Sequence, residues 1–176
     1  MRRLTDYVAK AGGIGAVIGH EISHHFDDQG SKFDPKGKLA TWWTPSDVAA
    51  FKARTDKLVA QYDSYEPLPG FRVKGALTLG ENTADLAGLA ASLDAYYKSL
   101  GGKKPPVIGG YTGEQRFYLA YAQVWRRRHR ESDLRNRLLT DPHSPAEQRA
   151  WIVRNIDAWY TAFDPKPGQK LYLAPD

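Results

Sequence analysis

Five consecutive residues, His20-Glu21-Ile22-Ser23-His24, contain the residue types that bind and use a catalytic metal ion. In a helix, side chains four positions apart lie on one face, so His20 and His24 can bind the same ion. Glu21 is one position round the helix, close enough to hold a metal-bound water molecule without being a ligand. The pattern predicts a zinc site with Glu21 as general base. The alternative is a helix that carries two unrelated surface histidines.

A catalytic zinc site needs a third protein ligand, because three side chains and a water molecule complete its coordination. A histidine six residues after His24 is excluded, since that position is Gly30. The remaining solution is a carboxylate from a second helix, and Glu81 and Asp85 lie four positions apart in a second helical pattern. We expect Glu81 to bind zinc and Asp85 to accept the outer N–H of a ligand histidine. The alternative, a solvated helix face, is disfavoured because the neighbouring residues are apolar.

Helices must position these residues, because helical periodicity recurs along the chain and strand signals are nearly absent. The apolar residues Val17, Ile18, Ile22 and Phe26 predict that the helix of the histidines buries that face. Further helices are predicted over residues 45–65, 77–100, 112–125, 132–139, 144–155 and 156–163. Strand-like residues occur only at 71–73 and 170–173. The predicted fold class is mainly α, with helices around the zinc site and little or no sheet.

Composition excludes several function classes. The chain has 176 residues and no cysteine, which rules out disulfides, thiol catalysis and cysteine-bound metals. No apolar run is long enough for a transmembrane segment. The start, Met1-Arg2-Arg3, is basic but is not followed by the apolar stretch of a signal peptide.

A basic cluster, Trp125-Arg126-Arg127-Arg128-His129-Arg130, raises the alternative of nucleic-acid binding. The formal net charge of the chain is only +5. Cations at the C-terminal end of a helix are also favourable to its dipole, and this interpretation is preferred. We therefore expect no nucleic-acid partner.

These motifs together resemble the neprilysin family of zinc metallopeptidases, which includes endothelin-converting enzymes and bacterial oligopeptidases. The matching residues occur in the family's order, from about Gly12 to Leu173. They are Val17–His24, Phe26–Asp28, Trp42–Thr44, Leu79–Asp85, Ala122–Trp125 and Thr140–Pro145.

The resemblance implies that His20, His24 and Glu81 bind one zinc ion per chain, with Glu21 as general base. It implies endopeptidase activity on oligopeptides outside the cytoplasm. It adds His143 as the group that steadies the oxyanion of the tetrahedral intermediate, and Arg149 as a donor to the substrate's backbone carbonyl. Four more residues are implied near the pocket for the side chain after the scissile bond: Ala16, Val17, Val124 and Trp125.

The chain also departs from the family. Members are several times longer, and the upstream sheet, substrate-aligning strand and helical roof have no counterpart here. Residues 1–176 are therefore expected to form the C-terminal part of a zincin catalytic domain, although the chain ends at Pro175-Asp176 where the family continues to a tryptophan. A zinc-binding but catalytically silent fragment that acts as an interaction module is the alternative function.

The absence of the family's upstream sheet and helical roof from this sequence also predicts self-association. Five apolar residues are expected to be exposed: Ile14, Val17, Ile18, Trp42 and Trp43. Large apolar patches usually mark interaction surfaces, so we expect a homodimer or higher oligomer.

Overall fold

A computed structural model describes residues 8–174, which are helices joined by turns and loops. Both chain ends, including Met1-Arg2-Arg3 and Pro175-Asp176, lie outside these residues. The named α-helices are α1 (Ala16–Ser23), α2 (Pro45–Asp63), α3 (Leu79–Ser99), α4 (Gly113–Val124), α5 (Glu131–Thr140), α6 (Ala146–Ala150) and α7 (Asp157–Phe163). Residues 8–10 are also helical, and a π-helical turn, Ala11–Gly15, leads from them directly into α1. Within residues 8–174 the only β contacts are isolated bridges, so the mainly α prediction is confirmed.

Local sequence explains where the helices begin. Thr44 and Thr112 each cap a helix through a reciprocal capping box, with Asp47 and Gln115 as the returning side chains. The strand-like residues 71–73 form one bridge, from Leu68 to Phe71, and residues 170–173 form a turn and irregular chain. Neither segment has a strand partner beside it among the described residues, so β propensity alone does not produce a sheet.

The contact between α1 and α3 positions the predicted site, and glycine makes it close. A Cβ atom on Gly19 would lie 2.7 Å from the carbonyl oxygen of Gly88. A Cβ atom on Gly88 would lie 2.7 Å from the carbonyl oxygen of Ala16. The two backbones therefore touch without intervening side chains. This approach brings His20 next to the acidic residues of α3.

The predicted buried face of α1 is wrong. Val17, Ile18, Ile22 and Phe26 are 37, 54, 60 and 50% exposed, whereas Ala16 and His20 are buried. Small residues and the histidine face α3, because only they permit the close glycine contact. The large apolar residues consequently point away from the core of the described chain.

An aromatic core fixes α3 against the rest of the chain. Tyr62, Tyr96 and Phe117 are almost completely buried, together with Leu89 and Ile152. The Tyr62 hydroxyl donates a hydrogen bond of 3.2 Å to the carbonyl of Gln148, which joins α2 to α6.

Within residues 8–174, no helix has the length and apolar character required to cross a bilayer.

The basic cluster does not form the end of a helix, contrary to the sequence interpretation. Helix α4 ends at Val124, and Trp125 leaves the helical conformation with φ −94° and ψ 9°. The Arg127 amide then donates to the Trp125 carbonyl at 2.7 Å, so residues 126–130 follow as irregular chain. Their charges therefore act as part of a connecting segment.

Candidate metal centre and active site

Helix α1, the 3-10 turn that directly follows it and helix α3 bring three potential metal ligands together. The Nε2 atoms of His20 and His24 lie 3.0 Å apart, as expected for side chains one helical turn apart that face one point. Glu81, in the first turn of α3, lies opposite them. One donor atom from each residue can be chosen so that all three lie within 4.8 Å of one another.

Glu81 shows that this group fits a cation. Its Oε2 atom is buried and makes no hydrogen bond of good geometry within the described chain. Yet His20 Nε2 lies 3.1 Å away and His143 Nε2 lies 3.3 Å away. Buried carboxylate oxygens need a partner. Two imidazoles and one carboxylate form a known set of catalytic zinc ligands, so these residues suit zinc.

Each histidine has its own carboxylate at the outer ring nitrogen. His20 Nδ1 lies 2.9 Å from Asp85 Oδ1, and His24 Nδ1 lies 2.7 Å from Asp27 Oδ2. Both carboxylates are buried. Such partners hold the ring so that Nε2 faces the metal.

Asp27 was missed by the sequence analysis. Its Oδ1 atom accepts the backbone N–H groups of Gln29 at 2.9 Å and Gly30 at 2.7 Å, so the loop fixes its position. The signal is its place three residues after His24. That spacing produces a contact only because the 3-10 turn His24–Phe26 brings Asp27 close to the His24 ring.

Electrostatics differ between the ligands. Burial lowers the pKa of His20, but the carboxylates of Asp85 and Glu81 beside its ring nitrogens outweigh burial and raise this pKa to about 9. Burial raises the pKa of Glu81, but the adjacent His20 ring and the charges of His143 and His24 bring it below the ordinary value. A metal ion therefore competes with a proton for His20, because only the neutral ring binds metal.

His143 borders the three potential metal ligands from a third segment of the chain. Its Nδ1 lies 2.8 Å from Asp141 Oδ1, and its Nε2 faces Glu81. Burial raises the pKa of Asp141, but hydrogen bonds from the backbone and ring of His143 lower it overall. Next to His143, the Ser144 hydroxyl donates to Asn82 Oδ1 at 2.8 Å. Helix α3 thus anchors the turn, and Asp141 is a second orienting residue that sequence reasoning missed.

Arg149 is buried beside the same ligands. Its Nε and Nη2 atoms each donate to Asp85 at 2.7 Å, and Nη2 lies 3.7 Å from Glu81 Oε2. Its guanidinium carbon lies 4.1 Å from the centroid of the Trp125 ring. Burial lowers the pKa of Arg149, but the Asp85 carboxylate raises it overall. Arg149 is therefore a fixed positive charge at the inner edge of the site.

The other predicted site residues occupy different environments. Glu21 is exposed and forms no ion pair within residues 8–174. Ala16 is buried in the core, whereas Val17 and Val124 are exposed. Trp125 is half-buried against Arg149.

Comparisons of the sequence with known proteins identify relatives in one family of peptidases. The sequence model of Peptidase family M13 matches residues 3–176. Neprilysin-11 from Caenorhabditis elegans is 45% identical over 154 residues, which are 84% of this chain and 18% of that protein. Endothelin-converting enzyme 1 from Cavia porcellus is 45% identical over 164 residues, covering 91% of this chain and 22% of that enzyme.

A solved structure gives the same result. The Mycobacterium tuberculosis zinc metalloprotease ZMP1 in complex with an inhibitor superimposes with a TM-score of 0.92 and 50% identity. The match covers 96% of this chain and 27% of that one. The chain thus spans about a fifth to a quarter of the length of these relatives.

Proposed function

The chain belongs to peptidase family M13, and we propose that it carries the zinc-binding half of an endopeptidase site that hydrolyses oligopeptides. The convergence of His20, His24 and Glu81 from two parts of the chain is the observation that carries this proposal. These three residues would hold one zinc ion. When bound, zinc would polarise the attacking water and the scissile carbonyl.

Glu21 is proposed as the general base. It follows His20 directly, and its carboxylate is exposed and therefore open to a water molecule and a peptide. It would accept the proton of the attacking water and pass it to the leaving amine. Asp85 and Asp27 would keep the two imidazoles in the orientation that binds metal.

His143 and Arg149 are proposed to act on the substrate. His143 Nε2 would donate to the oxyanion that forms from the carbonyl, because Asp141 holds the opposite nitrogen. Arg149 would donate to a backbone carbonyl of the peptide, with its bonds to Asp85 fixing the direction of the guanidinium. Val17, Val124 and Trp125 remain candidates for the pocket after the scissile bond. Ala16 would shape that pocket only through the backbone, because its side chain is buried.

The test compares zinc content with activity. We expect the parent chain to bind one zinc ion, measured by atomic absorption, and to cleave a quenched fluorogenic peptide. Glu21→Gln should retain zinc and lose hydrolysis, because an amide cannot accept the proton. His24→Ala should lose zinc. A fall in zinc content in Glu21→Gln would contradict the assignment of Glu21 as base.

A silent fragment gives a different result in the same assay. If the parent binds zinc stoichiometrically but does not cleave the peptide with or without chelator, the alternative of a zinc-binding but catalytically silent chain is favoured. Relatives named as peptidases are about four times longer, which makes this outcome a specific alternative. We also expect the chain to act outside the cytoplasm, which fractionation of the source cells would test.

Self-association is proposed from the outer face of α1 and of the π-helical turn, Ala11–Gly15, that leads into it. Ile14, Ile18 and Ile22 follow one another every four residues, and each is more than half exposed. Nearby, Trp42 is 48% exposed and its ring centroid lies 6.0 Å from that of Phe26. Apolar surface of this kind favours a homodimer or higher oligomer. Sedimentation equilibrium is the test, and a mass of 19.7 kDa at micromolar concentration would contradict it.

A further inference from the structure

A polar cavity of about 420 Å³ adjoins the proposed active site. His143 and Arg149 form part of its wall, and both side chains contact Glu81. Arg127 and Arg137 form another part. Arg127 and Arg137 thus share one cavity with two residues that contact Glu81.

The charges in this cavity have unequal partners. Arg137 is paired with Asp141 at 2.6 Å and with Asp133 at 3.2 Å. Arg149 is paired with Asp85. Arg127 has no carboxylate partner within residues 8–174, although it is held 5.6 Å from the Trp125 ring centroid. His129, which also lines the cavity, is paired with Asp133 at 2.7 Å. Among the described residues of the cavity wall, Arg127 is thus the arginine without a carboxylate partner.

Its chemistry selects the ligand. An arginine presents parallel N–H donors that match the two oxygens of a carboxylate. Contact with an aromatic face restrains the guanidinium before binding, which reduces the entropy lost in the complex. Asp141 does not compete for Arg127, because Arg137 and His143 already occupy it.

We propose that Arg127 forms a carboxylate-binding subsite beside the zinc ligands, which favours peptides with an acidic group near the scissile bond. The inference rests on the proposed peptidase function. The carboxylate is either an Asp or Glu side chain or the C-terminus of a short substrate. Arg127 is a specificity-determining residue and takes no part in the proton transfers.

Binding is measured by calorimetry with the zinc-loaded Glu21→Gln chain, which removes turnover. Three otherwise identical apolar peptides serve as probes: one with Glu and an amidated C-terminus, one with Gln and a free C-terminus, and one with Gln and an amidated C-terminus. We expect one of the two carboxylate peptides to bind about 10-fold more tightly than the uncharged peptide, as for a charge-assisted hydrogen bond. The peptide that gains affinity identifies the source of the carboxylate.

Variants assign the effect to Arg127. Arg127→Gln should remove the 10-fold preference and leave the uncharged peptide unaffected. Arg127→Lys should restore part of it, because charge is kept but the paired donors are lost. Arg128→Gln is the matched control, since Arg128 is an exposed neighbour that does not line the cavity.

Two results would overturn the subsite. One is a preference that persists in Arg127→Gln or disappears equally in Arg128→Gln. The other is equal binding of all three peptides to the parent, including no binding at millimolar concentration. The proposed function fails separately, through loss of zinc binding or of Glu21-dependent cleavage of the uncharged peptide.

Discussion

The two faces of helix α1 use opposite residue types. The inner face presents Ala16, Gly19 and His20 to α3, with the backbones in contact at Gly88. The outer face presents Ile18 and Ile22 to solvent, in line with Ile14 of the preceding π-helical turn, although these are the more hydrophobic residues. Burial in this helix therefore follows the close contact with α3 rather than hydrophobicity. Stability should depend on the inner face, and association should depend on the outer face.

Of the substitutions considered, removal of the Asp85 carboxylate, which contacts His20 on the inner face of α1, should lower stability the most. Asp85→Ala leaves Arg149 buried without its partner, which should cost about 3–5 kcal/mol in the free energy of unfolding. Urea denaturation in the presence of chelator measures this effect without a contribution from zinc. Asp94→Ala, an exposed position on the same helix, is the control and should change stability by less than about 0.5 kcal/mol. Equal effects at the two positions would show that the Asp85–Arg149 pair carries no special weight.

A substitution that widens the contact between α1 and α3 should have the second largest effect on stability. Gly88→Ala places a methyl group against Ala16 and His20, so α1 must move away from α3. Overpacking of this kind costs about 1–3 kcal/mol. Zinc affinity should fall as well, because His20 and Glu81 lie on opposite sides of the contact.

Gly13→Ala is the matched control for this change. A Cβ atom there would meet only the Val124 side chain, at 3.9 Å, and the substitution should be nearly neutral. Zinc affinity that is the same in Gly88→Ala as in Gly13→Ala would contradict the link between helix spacing and metal binding.

Asp27 contacts the second histidine, His24, in the same way that Asp85 contacts His20. Asp27→Asn keeps a carbonyl for the Gln29 and Gly30 amides but turns an NH₂ group toward His24 Nδ1. Zinc affinity should fall about 10–100-fold, as measured by competition with a chromogenic chelator. Asp28→Asn is the neighbouring control, because no Asp28 contact reaches His24. Unchanged affinity in Asp27→Asn would mean that Asp27 does not orient the ligand.

Sequence reasoning reached some of these features and missed others for physical reasons. Helical spacing of four residues suffices to pair His20 with His24, which caps the end of α1. The predicted helix start at residue 45 follows from local hydrogen bonding at Thr44. Asp27 lies beyond the helix, so its contact depends on a turn that spacing does not predict. Periodicity located the apolar face of α1, but it does not state whether another element covers that face.

The same limit applies to Gly88. A glycine inside a helical pattern has no side chain to reveal that another backbone approaches it. The close contact with α1 appears only when both helices are placed. Family resemblance supplied His143 and Arg149, whose positions depend on chain segments more than 50 residues from Glu81 in the sequence.

Substitution on the outer face should have the smallest effect on stability. Ile18 is 54% exposed, so Ile18→Ser removes little buried area and should change the free energy of unfolding of the monomer by less than about 0.5 kcal/mol. It should nevertheless weaken self-association, because it places a polar group in the middle of the Ile14–Ile22 row. The control is Val107→Ser, which is measured by sedimentation equilibrium beside Ile18→Ser. Val107 is an apolar residue, 66% exposed, in the loop between α3 and α4. If both variants weaken association equally, the outer face of α1 is not the interface. If Ile18→Ser destabilises the monomer as strongly as Gly88→Ala, the two faces do not divide stability and association between them.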